Sequence, residues 1–176
     1  QKIINPGKIN ISGKLTLISY NIILALSTEG GSISVEDNKL SVSNANNATV
    51  LLVGGTDYNP ASVGYLSGKD WKKALEKTMQ DAQAKGYNQL RKSHTTDYRS
   101  LFDRVSFSIS GKKNTLPTDE LLKNYSDGKY NPALDELFFQ YVRYLAISSS
   151  RAGLDLPSNL QGLWNNSNTP PWEADI

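Results

Sequence analysis

The residues best suited to chemistry lie near the end of the chain. Between Pro157 and Trp172 the sequence places two tryptophans, three prolines and several side-chain amides, among them Gln161 and Asn165. Loops seldom carry indole rings without packing or binding something. Planar aromatic faces and bidentate amides suit a neutral polyhydroxylated ligand, whose C–H faces stack and whose hydroxyls donate and accept. The segment therefore indicates a pocket wall, although tryptophans that plug a core beside the preceding helix explain its composition equally well.

Acid–base chemistry has weaker candidates. His94 is the single imidazole, but it falls on an apolar helical stripe without a nucleophile or metal partner at a suitable spacing, so packing explains it better. The Asp119-Glu120 pair is explained by its place at a helix start, where acids complement the helix dipole. Glu173 and Asp175 would share one face of an extended segment and are the better pair. Because inverting glycosidases hold their carboxyl groups about 6.5–9.5 Å apart, usually on different elements, one short segment is a poor source of both.

Composition narrows the classes of function. The 176 residues are 38% hydrophobic and 20% charged, which is typical of globular chains that bury a core. The net charge of +2 gives no strongly basic field, so we expect no nucleic-acid partner. With no cysteine and one histidine, disulfides, thiolate catalysis and Cys- or His-based metal sites are excluded. Polar residues interrupt every long apolar stretch, so we expect no membrane insertion, and we expect neither a metal nor a cofactor.

The elements that must position these residues begin with strands. Up to about residue 66, short β-branched runs at 15–26, 32–35, 39–42 and 48–54 predict an antiparallel sheet. Gly30-Gly31 and Asp37-Asn38 each lie between two runs and predict hairpin turns. About five short strands are too few for two packed sheets, so we expect further strands upstream.

Helical spacing begins after Gly68. Apolar residues from Trp71 onward recur every three or four positions until Lys85-Gly86, a cation followed by glycine, which predicts the end of this helix. A second amphipathic helix is predicted over 87–104. We expect the pair to bridge two domains.

The last third of the chain predicts a short strand and two more helices. Val105–Ile109 is strand-like, and Thr118 is a candidate N-cap for a short helix. Asn131 followed by Pro132 predicts the start of a long helix that runs to about Ser149. Apolar residues surround nearly its whole circumference, so we expect it to be wedged between neighbours. One helix cannot supply those neighbours, which predicts that the chain is part of a larger protein.

Two motifs give the chain a family resemblance. Pro-Ser-Asn-Leu-Gln-Gly-Leu-Trp-Asn at 157–165 and Pro-Pro-Trp-Glu-Ala-Asp at 170–175 resemble glycoside hydrolase family 95, the α-L-fucosidase family. The resemblance extends upstream through 148–151, 139–145, 116–120, 101–105 and His94 with Asp97-Tyr98. It covers most of the chain from about residue 90, whereas the N-terminal strands resemble the family only in pattern.

The resemblance implies a multidomain fold of both α and β structure. Residues 1–66 would be the C-terminal part of an N-terminal antiparallel β-sandwich domain, 67–104 a helical linker, and 105–176 the incomplete start of an (α/α)6 catalytic barrel. It also implies hydrolysis with inversion and without a metal, by a general-acid Glu and a base Asp assisted by an Asn-x-Asn pair. In the family pattern that pair closely follows the position of Asp175. The acid, the base and the pair are therefore expected beyond Ile176, so no residue of the chain is assigned a catalytic role and the chain alone is expected to be inactive.

What the resemblance does place within the chain is part of the substrate site. Gln161, Trp164, Asn165 and Trp172 resemble the loop leading into the fucose pocket and are expected to bind substrate. The expected parent is a secreted or periplasmic exo-α-L-fucosidase acting on terminal α-1,2-linked L-fucose of fucosylated oligosaccharides or glycans. Two alternatives stay open: an α-L-galactosidase on the same fold, because the two sugars differ only around C6, and a non-catalytic carbohydrate-binding or structural module.

Overall fold

The computed structural model describes residues 2–5, 7–37, 39–67, 70–109, 115–154, 158, 164–167 and 169. Over these residues it contains antiparallel strands followed by helices, as the sequence predicts. The chain forms two compact units, residues 1–92 and 93–176. The finer division at residues 66 and 104 stays a prediction.

The first unit is built on a four-stranded antiparallel sheet. Its strands, in spatial order, are β1 (Lys2–Asn5), β2 (Lys8–Lys14), β3 (Ser19–Glu29) and β6 (Asn47–Thr56). Strands β4 (Ser32–Glu36) and β5 (Lys39–Ser43) form a separate two-stranded hairpin. The longest ladder joins β3 to β6 over ten residue pairs, from Tyr20 opposite Thr56 to Glu29 opposite Asn47. The sequence analysis missed β1 and β2.

The predicted hairpin turn at Gly30-Gly31 is wrong. Strand β3 pairs with β6 and not with β4, so the two glycines mark the point where the β4–β5 hairpin leaves the ladder. Both glycines have positive φ, 72° and 63°. A Cβ atom on Gly31 would lie 2.2 Å from the Ser43 carbonyl oxygen, so only glycine fits this close approach of two backbones.

The second predicted turn lies where the sequence places it. Asp37, with φ of 47°, follows β4, and Asn38 lies outside the described residues. Strands β4 and β5 pair from Ser32 opposite Ser43 to Glu36 opposite Lys39, which confirms the hairpin.

The core of the first unit lies between one sheet face and helix α1 (Trp71–Phe102). Ile23, Ala25 and Met79 are at most 3% exposed, and Leu51, Val53 and Leu75 pack around them. Period-two alternation in β3 and β6 brings these apolar side chains to one face, and the helical spacing brings Leu75 and Met79 onto it. Burying each large side chain stabilises the fold by about 1.5–3 kcal/mol. Leu52 on the opposite face is 66% exposed.

Helix α1 is interrupted at Gly86. The glycine has φ 69° and ψ 167°, a conformation outside the helical region, and helical residues resume directly after it. The predicted break is therefore confirmed, but the two predicted helices follow one another without a connecting loop.

The second unit contains α2 (Thr118–Ser126) and α3 (Pro132–Ser149). The start of α3 is confirmed, because the Asn131 side chain accepts a hydrogen bond from the Ala133 backbone N–H at 3.0 Å. The N-cap prediction for Thr118 is wrong by one residue: Pro117 occupies the cap position, and Thr118 is already helical.

The strand predicted at 105–109 is also absent. This segment has no strand partner among the described residues and lies instead against the side chains of α3. The Phe107 ring lies 4.5 Å from the Phe139 ring, the Ile109 backbone N–H donates to the Glu136 carboxylate at 3.2 Å, and the Gln140 amide donates to the Phe107 carbonyl oxygen at 3.3 Å. Side chains of α3 thus make the hydrogen bonds to this backbone that a neighbouring β-strand was expected to make.

Helix α3 keeps much of its apolar surface exposed. Phe138, Tyr141 and Val142 are 67%, 55% and 46% exposed, so the expected wedging between neighbours is not provided by the described residues. None of the helices described is both long enough and apolar enough to span a membrane.

Candidate functional site

Two of the four predicted substrate-binding residues fall within the described structure. Trp164 and Asn165 belong to the segment 164–167, whereas Gln161 and Trp172 lie outside the described residues. The acidic candidates Glu173 and Asp175 lie outside them as well. The structure therefore shows one part of the predicted pocket wall and the elements that hold it.

Trp164 contacts the C-terminal part of α3. Its indole N–H donates towards the Leu145 carbonyl oxygen at 3.5 Å, and 53% of the residue stays exposed. This distance is long for an N–H···O hydrogen bond, so the contact orients the ring more than it stabilises it. An indole held by its edge leaves aromatic surface open to solvent, where the C–H face of a sugar can stack.

Asn165 is engaged in a local turn. Its amide oxygen accepts from the Ser167 backbone N–H at 2.9 Å, and its amide nitrogen donates to the Ser167 carbonyl oxygen at 3.3 Å. The Ser167 hydroxyl in turn accepts from the Thr169 backbone N–H at 3.1 Å. Such side-chain-to-backbone bonds fix a loop that has no regular secondary structure. Asn165 thus shapes the loop that presents Trp164.

Arg143 holds the helices behind this loop. Its guanidinium donates to the Phe102 carbonyl oxygen at 2.5 Å and to the Gln140 amide oxygen at 2.6 Å, and it lies 4.3 Å from the centre of the Phe102 ring. A planar cation with five donors can make both hydrogen bonds while it stacks on a ring. The sequence analysis missed this role. The one feature of the local sequence that indicates this role of Arg143 is its spacing of three residues from Gln140, which places the two side chains next to each other on one helical face.

A second set of contacts joins α1 to α3. Arg151 forms an ion pair with Asp97, and the Tyr98 ring lies 5.9 Å from the Tyr144 ring. Burial raises the pKa of Tyr98 above its ordinary value, and the nearby Arg143 charge partly opposes that rise. The exposed pair contributes at most about 1 kcal/mol, so the aromatic contacts carry more of this junction.

The acid–base candidates have structural roles where the structure describes them. His94 stacks on Tyr98 with ring centres 6.3 Å apart, as its place on the helical stripe predicts. Asp119 and Glu120 both lie in the first turn of α2, where their charges complement the helix dipole. In the described part of the chain, no group of three or more His, Cys, Asp or Glu side chains could hold a metal ion.

The arrangement around Trp164 is suited to binding a neutral ligand. It offers a half-exposed indole, a loop held by hydrogen bonds from its own side chains, and a helix pair joined by a half-buried cation that lies over the Phe102 ring. These groups stack, donate and accept, and such contacts orient a sugar.

Comparison with known proteins gives one family and several relatives. The glycosyl hydrolase family 95 catalytic domain matches residues 86–176. The chain is 34% identical over 182 residues to alpha-L-fucosidase 2 of Arabidopsis thaliana, a match that covers 99% of this chain and 21% of that protein. It is 39% identical over 117 residues to the probable alpha-fucosidase A of Aspergillus niger, covering 65% of this chain and 14% of that relative.

A third relative is similar over most of the chain. The probable alpha-fucosidase A of Aspergillus oryzae is 31% identical over 169 residues, which cover 90% of this chain and 23% of that protein. The chain therefore spans between 14% and 23% of the length of these curated relatives.

Proposed function

The chain belongs to glycosyl hydrolase family 95, and on that premise we propose that the protein of which it is a part is an inverting exo-α-L-fucosidase. The proposed reaction removes terminal α-1,2-linked L-fucose from oligosaccharides or glycans, in a secreted or periplasmic location. The observation that carries the proposal is the family match over residues 86–176, which includes the whole of the predicted pocket wall. The similarity to alpha-fucosidases over both compact units supports it.

In this proposal the residues of the chain bind and position the sugar. Inverting hydrolysis needs one carboxylic acid that protonates the leaving oxygen and one carboxylate that activates water, about 6.5–9.5 Å apart. The family resemblance assigns both groups to sequence beyond Ile176. The indole face of Trp164 would stack on the C–H face of the sugar, and the Asn165 turn would hold that face in place.

The proposal includes the family's fold. On the sheet face opposite Met79, Val50 and Leu52 are 57% and 66% exposed, and this apolar surface suits a second packed sheet. On α3, the exposed rings of Phe138 and Tyr141 suit neighbouring helices of an (α/α)6 barrel. Both surfaces are what the first part of a larger enzyme would carry.

A proton NMR time course of the full-length protein with 2′-fucosyllactose tests the reaction. We expect β-fucose to appear first, because inversion of an α-linkage releases the β-anomer. First appearance of α-fucose would contradict inversion, and absence of release would contradict the activity. If L-galactose is released from the matching L-galactoside at a higher kcat/KM than L-fucose from 2′-fucosyllactose, the substrate sugar is L-galactose and not L-fucose. The 176-residue chain alone, run in parallel, is expected to release nothing.

A variant pair tests the pocket wall. Trp164→Ala should lower kcat/KM of the full-length protein about tenfold, because a stacking face is lost, and Trp164→Phe should retain part of it. The matched control is Tyr125→Ala, which removes an aromatic ring of similar exposure from α2. Equal activity of Trp164→Ala and the control would exclude Trp164 from the substrate site.

A further inference from the structure

A cavity at one end of the sheet in the first unit has no role in the proposed reaction. It has a volume of about 330 Å³. Its walls include the last residues of β3, the first residues of β6, and Gly86 and Tyr87, where α1 is interrupted. An outer cavity of about 680 Å³ shares Glu29, Asn47, Thr49, Gly86 and Tyr87 with it. We call these five residues and the space they enclose the Glu29 groove. Volumes of this size fall within the range of natural small-molecule sites, about 300–1,000 Å³.

The groove exists because α1 covers only part of the β3–β6 ladder. Leu75 and Met79 pack over the middle of the ladder, on Ile23 and Ala25. The ladder continues to the last pair, Glu29 opposite Asn47, which lies outside the core cluster formed by the described residues. The helix is interrupted at Gly86, so its backbone departs from the straight course beside the end of the sheet. The polar last pair of the ladder, Glu29 and Asn47, therefore forms one wall of the groove.

The polar groups of the groove are arranged for hydroxyl recognition. The Asn47 amide donates to one Glu29 carboxylate oxygen at 2.7 Å, and both side chains are exposed to solvent. Within the described residues, neither the second carboxylate oxygen nor the Asn47 amide oxygen makes a hydrogen bond. A carboxylate paired with an amide offers adjacent acceptors and a donor, which match the vicinal hydroxyls of a sugar ring.

Tyr87 supplies the aromatic component. It directly follows Gly86, lines both cavities and is 58% exposed. Its ring is available for stacking against C–H groups, and the Thr49 hydroxyl adds a further donor and acceptor to the same wall. The charged side chains of the two cavities are Glu29 and Lys85, one of each sign, so the groove has no excess charge that would select a polyanion.

We propose that the Glu29 groove binds a pyranose unit of a neutral glycan. The site is formed without any residue of the 157–175 segment, so the proposal does not depend on the hydrolytic activity. Its effect would be to retain a glycan on the first unit and raise the local concentration of the substrate.

Saturation-transfer NMR on the full-length protein tests the site. The probe is D-galactose, which carries no scissile α-fucosyl bond and is not a product of fucose release from 2′-fucosyllactose, so binding is measured without turnover. The protein is produced in a host that lacks N-glycosylation, because Asn47-Ala48-Thr49 matches the glycosylation sequon and a glycan there would fill the groove. We expect saturable binding of D-galactose.

Variants assign the binding to the groove. Tyr87→Ala and Glu29→Gln should each weaken binding about tenfold, because one loses the stacking ring and the other the charged acceptor. The matched control is Tyr58→Ala, which removes an exposed ring of the same unit that does not line the groove. Fucose release from 2′-fucosyllactose is measured for every variant at saturating substrate and should keep its kcat.

Two outcomes would overturn the proposal: no saturable binding of D-galactose, or binding that Tyr87→Ala and Glu29→Gln leave unchanged. Failure of the proposed hydrolysis is separate, because it leaves the binding titration as it was. Thermal unfolding is measured for each variant, and melting curves that coincide with that of the parent protein exclude a loss of fold.

Discussion

The two units of the chain hold their elements together by different means. In the first, Ile23 and Met79 are 1% and 0% exposed and form a small apolar core between sheet and helix. In the second, a guanidinium, ring contacts and an ion pair join α1 to α3 and the residue Arg151 that follows it, Leu121 of α2 is 2% exposed, and Phe138 stays 67% exposed. The described contacts of the first unit are thus mainly those of periodic apolar residues, whereas α1 and α3 are joined by a few specific polar and aromatic side chains.

The largest expected effect removes the core of the first unit. Met79→Ala in the full-length protein should lower the free energy of local opening in residues 19–56 by about 2–5 kcal/mol, because a fully buried side chain leaves a cavity. Hydrogen exchange read by mass spectrometry measures it. Leu137→Ala, at a position that is 41% exposed within this chain, is the comparison in the second unit. Unchanged exchange in 19–56 would mean that the sheet does not depend on this core.

The next effect tests the dependence of the second unit on Arg143. Arg143→Ala should increase hydrogen exchange in 97–109 and 139–147, with a loss of about 1.5–3 kcal/mol from its hydrogen bonds. Arg143→Lys should recover only part, because an ammonium cannot make both hydrogen bonds and stack on Phe102. Full recovery by lysine would show that charge alone matters there.

A smaller effect concerns the backbone of the first unit. Gly31→Ala should destabilise the β4–β5 hairpin by more than about 1 kcal/mol, because positive φ is combined with a clash against the Ser43 carbonyl. Gly64→Ala has the same sign of φ but open space around the added Cβ, and it serves as the control. Amide exchange is compared around each site, in residues 32–43 for Gly31→Ala and in residues 57–66 for Gly64→Ala. Equal effects would mean that φ alone, and not the close approach, requires Gly31.

The smallest effect is at the start of α3. The Tyr130 hydroxyl donates to the Asp135 carboxylate at 2.8 Å, and this hydrogen bond raises the pKa of the phenol above its ordinary value. The associated stabilisation is present below that ordinary pKa, about 10, and is lost as the pH rises through the raised value. Ring-carbon NMR should place the Tyr130 titration of the parent protein above that of the same ring in the Asp135→Asn variant. Coincident Tyr130 titrations in the parent protein and the variant would contradict the assignment.

The same contrast explains what the sequence could predict. The core positions Leu75 and Met79, the break at Gly86 and the cap at Asn131 all follow from local spacing or from one residue's conformational preference. Strand β2 carried a readable signal too, because Ile9 and Ile11 alternate with polar residues. It was missed because glycine and asparagine weaken strand propensity.

Long-range pairing was beyond the local pattern. The β3–β6 ladder joins residues 18 to 36 positions apart. Nothing in the Gly30-Gly31 dipeptide distinguishes a hairpin turn between paired strands from the point where a separate hairpin leaves the ladder. Segment 105–109 has strand-like composition, but its partner is a helix that begins more than twenty residues later. For the site, composition identified Trp164 and Asn165, whereas Arg143 acts through the Phe102 carbonyl 41 residues away.

The departure of the β4–β5 hairpin from the ladder at Gly30-Gly31 has a consequence for how the segment between β3 and β6 can vary in length. Glu29 and Asn47 already stand opposite each other as the last pair of a closed ladder, so the sheet does not need the seventeen residues between them to keep its register. A two-residue turn with positive φ could join β3 directly to β6. Because residues 30–46 take no part in the pairing of β3 with β6, we expect a change in their length to leave the core side chains of that ladder on the same face.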